Sequence, residues 1–232
     1  MAENPGGPMS DTGLNSFTIS DHGCNNQVDI AASARLADGV RIDLFGNHNH
    51  LCIGENTIVQ GGLLEMRNHD SSIKIGANCA LIGMFRCRAS NTHISIGDQT
   101  TSMMAHITLH ERGSIIIGRD CMLSGDIAMD VSDMHSILDN DSGKRLNPPQ
   151  DIKIGDHVWL AQGVRVMKGA SIGHDTVIGT RALVLGEIPP HSLAVGTPAR
   201  VINNNISWDR KRLPIAARKE DEAEQKDSFS AG

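Results

Sequence analysis

The sequence predicts an all-β parallel solenoid, a chain wound into short coils with three flat sides. Three observations carry this. Isoleucine-glycine recurs at Ile53-Gly54, Ile75-Gly76, Ile96-Gly97, Ile117-Gly118, Ile154-Gly155, Ile172-Gly173 and Ile178-Gly179, in steps of 22, 21, 21, 37, 18 and 6 residues. Four residues after each isoleucine stands a small or slim side chain: Thr57, Cys79, Thr100, Cys121, Val158, Thr176 and Ala182. A unit of about six residues closing on about eighteen gives three sides per coil, and such a fixed period marks a stacked-repeat architecture. Aromatic residues make up only 3% of the 232 residues, and tyrosine is absent. Stacked aliphatic residues fill a narrow solenoid, whereas an ordinary globular core leans on large rings.

The elements follow in order. Residues 1–25 read as a flexible lead-in, and residues 26–205 as the solenoid. Met1 to Gly13 is polar and lacks the positive-then-apolar form of a signal peptide. From Val28, the apolar positions Ile30, Leu36, Val40, Ile42 and Leu44 alternate or fall six apart, with no helical period. From Ile53 to Gly125 the coils are regular but longer than the minimal turn, so the extra residues bulge at corners. Residues 128–150 break the rhythm. The 37-residue step there leaves about 19 residues beyond one coil. They are rich in Asp, Asn, Ser, Gly and Pro, which is loop chemistry, and long loops in compact folds are often functional. Coils resume from Ile152 to Val184, and Glu187-Ile188-Pro189-Pro190 marks the last corner. Val201 to about Ala217 is expected to hold a short strand and a helix. Residues 206–232 form a tail, charged from Lys219 and expected to be partly disordered.

Bulk properties narrow the function. The net charge of −6 gives no global basic field for nucleic acid. No apolar run approaches about 20 residues, so no transmembrane helix is expected. Cys24, Cys52, Cys79, Cys87 and Cys121 contain no CxxC. Cys79 and Cys121 fall in the small slot of the repeat, so they read as buried core thiols. That usage suits a reducing cytoplasm.

Larger motifs carry a resemblance. They are SDMHSILD from Ser132, NISWDR from Asn205, and the run IKIGDHVWLAQGVRVMKGASIGHDTVIGTRALVLGEIPPHSLAVGTPARVI from Ile152. Over roughly residues 28–205 the chain resembles the hexapeptide-repeat acyltransferases. Its C-terminal coils look like the maltose/galactoside-type O-acetyltransferases. The histidine loop and NISWDR look more like the capsule and surface-polysaccharide O-acetyltransferases. The resemblance implies a left-handed parallel β-helix, a hand that periodicity alone leaves open. It also implies a homotrimer with acetyl-CoA bound in a cleft between neighbouring solenoids. Acetyl-CoA would be a co-substrate, with no tightly bound cofactor and no metal. The acceptor would be a hydroxyl of a sugar or surface polysaccharide.

Site residues follow from the same resemblance. His135 matches the catalytic base, and a histidine is unprotonated near neutral pH yet can hold a proton transiently. Asp130, Asp133 and Asp139 flank it, with Asp133 favoured as the group that orients the imidazole. Trp159 matches a ring beside the acyl donor. Ala161 stands where the family has glycine, with a backbone N–H expected near the pantetheine or thioester. Gly179 and Thr180 match a turn that passes the pantetheine arm. Arg200 matches a cation that meets CoA phosphate, which suits a guanidinium fork. Lys168 and Arg181 are further cations, equally at home on a solvated face. Leu185-Gly186 replaces a Thr-Lys pair, which removes one CoA contact. Met66, Arg67 and Arg88 lie where acceptor specificity is expected. Three alternatives stand beside this assignment. One is N-acetylation of an amino-sugar nucleotide. Another is zinc held among His48, His50, His69, His93, His106 and His110. The third is a non-catalytic solenoid.

Overall fold

The computed structural model describes residues 17–214. Within them the chain winds as a three-sided parallel β-helix, with no helical element among the described residues. The first face stacks Gln27–Ile30, His50–Ile53, Ser72–Ile75, Thr92–Ile96, Gly113–Ile117, Ile152–Ile154, Ser171–Ile172 and Glu187–Ile188. Three long strands, Ile58–Met66, Ala80–Cys87 and Thr101–Leu109, bend across the second and third faces. Later coils split that path. Met122–Leu123, Trp159–Leu160, Val177–Ile178 and Ser192–Val195 continue the second face. Ile127–Asp130, Arg165–Met167 and Leu183–Val184 continue the third.

The isoleucine rhythm is one physical column. Ile30, Ile53, Ile75, Ile96, Ile117, Ile154, Ile172 and Ile188 pair in register, coil on coil, along the first face. Ile178 belongs to the second face, which is why its step is a single side long. The glycine after six of these isoleucines, Ile53 to Ile172, has a steric cause. A Cβ on Gly118 would lie 2.5 Å from the Gly155 carbonyl carbon, and one on Gly97 would lie 2.6 Å from that of Gly118. Coil corners stack too closely there for any side chain.

The small slot is an internal hydrogen-bond column. Thr57 Oγ1 donates to the Gly76 carbonyl at 2.7 Å, and Thr100 Oγ1 to that of Gly118 at 3.0 Å. The thiols of Cys79 and Cys121 make the same contact to Gly97 and Gly155, at 3.3 and 3.2 Å. Both cysteines are buried, and burial raises both thiols, Cys121 to about 11. These are inert core groups, as expected from their slot.

The first-to-second corner turns through left-handed backbone at Asn56, Asn78, Gln99, Asp120, His157, Asp175 and His191, with φ between 51° and 61°. Asn, Asp and His tolerate this region better than most residues.

Three expectations need correction. Within the expected lead-in, Thr18–Asp21 already forms a strand paired to Arg41–Leu44, so the third face begins before residue 26. Residues 1–16 lie outside the described part. The excursion begins later than residue 128, because Ala128–Asp130 stays in the ladder against Arg165–Met167 and the chain leaves the coils from Val131 to Asp151. The expected C-terminal helix does not form. Arg200–Asn204 instead folds back antiparallel on Ser192–Val195, and residues 205–214 contain no helix. Nothing of residues 215–232, including the expected disorder, lies in the described part.

Ile96→Ala removes one rung from the middle of the column. Urea unfolding is expected to show a loss of about 2–5 kcal/mol. A loss of only a few tenths would mean the column is not the core.

Candidate active site

The loop bearing His135 leaves the third face after Asp130 and rejoins the first face at Ile152. Thr108 pairs with Asp130 in register, so the coil before the loop brings Glu111 beside the loop's first turn. Ser132 Oγ donates to Glu111 Oε2 at 2.5 Å. Arg145, from the returning limb, grips the same carboxylate with two bonds of 2.7 and 2.6 Å. The Arg145 hydrogen bonds, then that of Ser132, pull the Glu111 carboxyl down to about 2. A bidentate guanidinium–carboxylate pair fixes orientation as well as distance, so Glu111 pins both limbs of the loop.

Asn147 is buried inside the loop and holds the histidine's backbone. Its Nδ2 donates to the His135 carbonyl and to Asp133 Oδ2, each at 2.8 Å. Its Oδ1 accepts from the Ile137 N–H at 2.8 Å. The His135 N–H donates to the Asp133 carbonyl at 2.7 Å. Met134, between them, takes left-handed backbone at φ 64°, and its N–H donates to Ser132 Oγ. The His135 side chain is exposed, and no hydrogen bond or ion pair to its ring occurs among the described residues.

None of the three flanking aspartates meets that ring. Asp133, the expected orienting group, accepts from Lys168 Nζ at 2.5 Å and from Asn147. Lys168, then Asn147, lowers the Asp133 carboxyl below its usual range. Lys168 is thus a loop anchor and not a solvated cation. Asp130 bonds His110, and burial raises its carboxyl despite that partner. Asp139 accepts from the N–H and Oγ of Ser142, closing its own turn.

The residues expected to meet the acyl donor sit elsewhere on the prism. Trp159 lies on the second face, in register with Met122 and Val177, and its Nε1 donates to Ser124 Oγ at 3.3 Å. The Ala161 N–H is committed to the Ile178 carbonyl at 2.9 Å, and the Gly179 N–H to Ala194 at 2.8 Å. Neither amide is free for a ligand, which removes the role expected of the Ala161 N–H. Thr180 and Arg181 are exposed at the second-to-third corner. Arg200 is exposed at the start of the last strand, with Nη1 on the Ala199 carbonyl at 2.9 Å. Within one chain, His135, Asp133 and Lys168 group at the third-to-first corner. Trp159, Ala161, Gly179 and Thr180 group on and beside the second face.

The tail adds residues that sequence reasoning left without a role. The Trp208 ring stacks on His157 at 4.3 Å and lies 6.0 Å from Trp159. Its Nε1 donates to the His157 carbonyl at 2.8 Å. Arg210 clasps Asp120 Oδ1, Thr101 Oγ1 and the Cys121 carbonyl, each at 2.9 Å. Their only signal in the sequence is the NISWDR motif. Glu111 could be found by carrying the strand register forward, whereas Arg145 and Asn147 return from a loop with no period.

The Glu111 clasp has a pH signature. Because its carboxyl is held low, its stabilisation is complete above about pH 4.3, the ordinary glutamate value. It disappears as pH falls through about 2. Glu111→Gln should lower Tm at pH 6, and the difference from wild type should shrink toward pH 2. A constant difference across that window would mean that ionised Glu111 does not hold the loop.

No protein-family model matches the chain. The polysialic acid O-acetyltransferase of Neisseria meningitidis is 30% identical over 199 residues, covering 85% of this chain and 92% of that protein. Two solved structures share the architecture. The polysialic acid O-acetyltransferase OatWY superposes with a TM-score of 0.78 and 27% identity, over 90% of this chain and 99% of that one. The polySia-specific acetyltransferase NeuO superposes with a TM-score of 0.76 and 26% identity, over 94% and 99%. The shared fold is the left-handed β-helix. With likeness over nearly the whole length of both partners, the chain belongs to the hexapeptide-repeat O-acetyltransferases, the family that includes the polysialic acid O-acetyltransferases.

Proposed function

We propose that the chain transfers an acetyl group from acetyl-CoA to a hydroxyl of a sugar within a surface polysaccharide, with His135 as general base. The observation that carries this is the loop around His135. It fixes the histidine's backbone through Asn147 and leaves the ring exposed to take a proton. His135 removes the hydroxyl proton as the oxygen attacks the thioester carbonyl. A tetrahedral oxyanion forms and collapses, and the CoA thiolate leaves with a proton returned from the imidazolium. Relatives that act on polysialic acid support a polysaccharide acceptor.

The site is completed by a second copy, in a homotrimer. Trp159 and Thr180 lie on a different side of the prism from His135, so one chain does not bring them together. Met134, Ile137, Leu138 and Leu146, around His135, are each more than half exposed. Exposed apolar clusters of this kind mark interaction surfaces. The second face offers them a partly apolar outer surface through Met122, Trp159, Val177 and Leu193. Docked there, the loop would bring His135 to the Trp159 of a neighbouring subunit. Arg200 is assigned to CoA phosphate, where a guanidinium suits the charge.

The test is thiol release from acetyl-CoA over a panel of sugars, oligosaccharides and anionic polysaccharides. His135→Ala should lose about 10²–10⁴-fold in turnover while still binding acetyl-CoA. Full activity in that variant would remove His135 as the base. The product should be an ester, released by mild alkali, and an alkali-stable amide would point to an amine acceptor instead.

A further inference from the structure

At the first-to-second corner of the last two coils, one carboxylate gathers three imidazoles. Asp175 Oδ1 lies 2.8 Å from His157 Nδ1. Asp175 Oδ2 lies 2.7 Å from His174 Nδ1 and 4.0 Å from His191 Nδ1. The His174 and His191 rings meet edge to face, with centroids 4.8 Å apart. One ligand atom from each of His174, Asp175 and His191 falls within 4.8 Å of the others, and no other such group of three occurs among the described residues.

The backbone fixes where these donors stand. Asp175 and His191 both occupy the left-handed corner position, with φ 54° and 56°. The Asp175 N–H donates to the Asp156 carbonyl and the His191 N–H to the His174 carbonyl, at 3.1 and 3.0 Å. The three donors therefore come from two successive coils held in fixed register. Asp175 is held from behind by His157, which the stacked Trp208 ring holds in turn. Outer partners that orient a ligating side chain are a regular part of metal sites.

We propose that His174, Asp175 and His191 form a binding site for a divalent transition-metal ion such as Zn²⁺. Two imidazole nitrogens and one carboxylate oxygen suit zinc, nickel or copper, and not calcium or magnesium, which take oxygen ligands. Tetrahedral zinc with bonds of about 2.0–2.1 Å needs donors about 3.3 Å apart. The spacings present bracket that value, so side-chain rotation alone brings the donors in. Solvent completes the shell, because His174 and His191 are exposed.

The ion would bridge the last two coils. His191 also anchors the tail, since its carbonyl accepts the Ile206 N–H at 2.9 Å. Solenoids need protection at their ends, where the stack has no further neighbour. A bridge here would secure the terminal coil and the tail carrying Trp208. Within one chain the site stands at a different corner from His135.

The test is calorimetric titration of the untagged full-length chain with ZnCl₂. Wild type is compared with His174→Ala, with His191→Asn, which keeps a residue suited to the left-handed corner, and with His50→Ala. His50 pairs with Asp29 at 2.8 Å on another coil and serves as the control. Saturable binding of one ion per chain is expected, weakened at least about tenfold in both corner variants and unchanged in the control. Zinc should raise the Tm of the wild type by more than that of the corner variants. Absence of saturable binding, or equal affinity in wild type and both corner variants, would overturn the assignment.

Discussion

Register is the constraint on which the rest of this structure depends. Each coil must repeat the hydrogen-bond register of the coil beneath it, and the eight-isoleucine column on the first face shows how strictly that is kept. A one-residue slip would turn every inward side chain outward. Extra residues therefore go only to corners, and the largest addition leaves the coil altogether between Val131 and Asp151. Inside, the Thr57, Cys79, Thr100 and Cys121 column gives partners to the half-buried corner carbonyls of Gly76, Gly97, Gly118 and Gly155.

That constraint also distributes the chemistry. A parallel solenoid sends successive six-residue sides to different faces, so residues close in sequence stand far apart around the prism. Asp133 and Trp159 belong to adjoining coils yet lie at different sides. The long loop is one device that lifts a side chain, the proposed base His135, off this grid. Glu111, Arg145, Asn147 and Lys168 keep it from wandering. The tail is a second device, with Trp208 and Arg210 returning across earlier coils to reach His157 and Asp120.

The sequence made the coils legible because stacking imposes a period that survives in composition. The Ile column, the small slot and the corner glycines all came from that period. The His135 loop was legible as an interruption, and its histidine through resemblance. What the loop residues touch was not legible. Asp133 lies two residues from His135 yet meets Lys168, which arrives from the next coil. Proximity in sequence says nothing about the direction of a side chain in an irregular loop. The Ala161 amide was misjudged for the opposite reason: it lies in a regular ladder, and a ladder amide is already paired. The tail was misjudged because its contacts, Arg210 with Asp120 among them, are too distant in sequence to leave a local pattern.

The central claim is that His135 and Trp159 act together only across two copies. The most direct measurement is complementation between His135→Ala and Trp159→Ala chains, each weakly active alone, unfolded together and reassembled in equal amounts. In the proposed closed trimer, random assembly would pair an intact His135 with an intact neighbouring Trp159 at about one quarter of the interfaces. The account predicts recovery to about that fraction of wild-type turnover. Mixed assemblies that form but stay as inactive as their parents would contradict it.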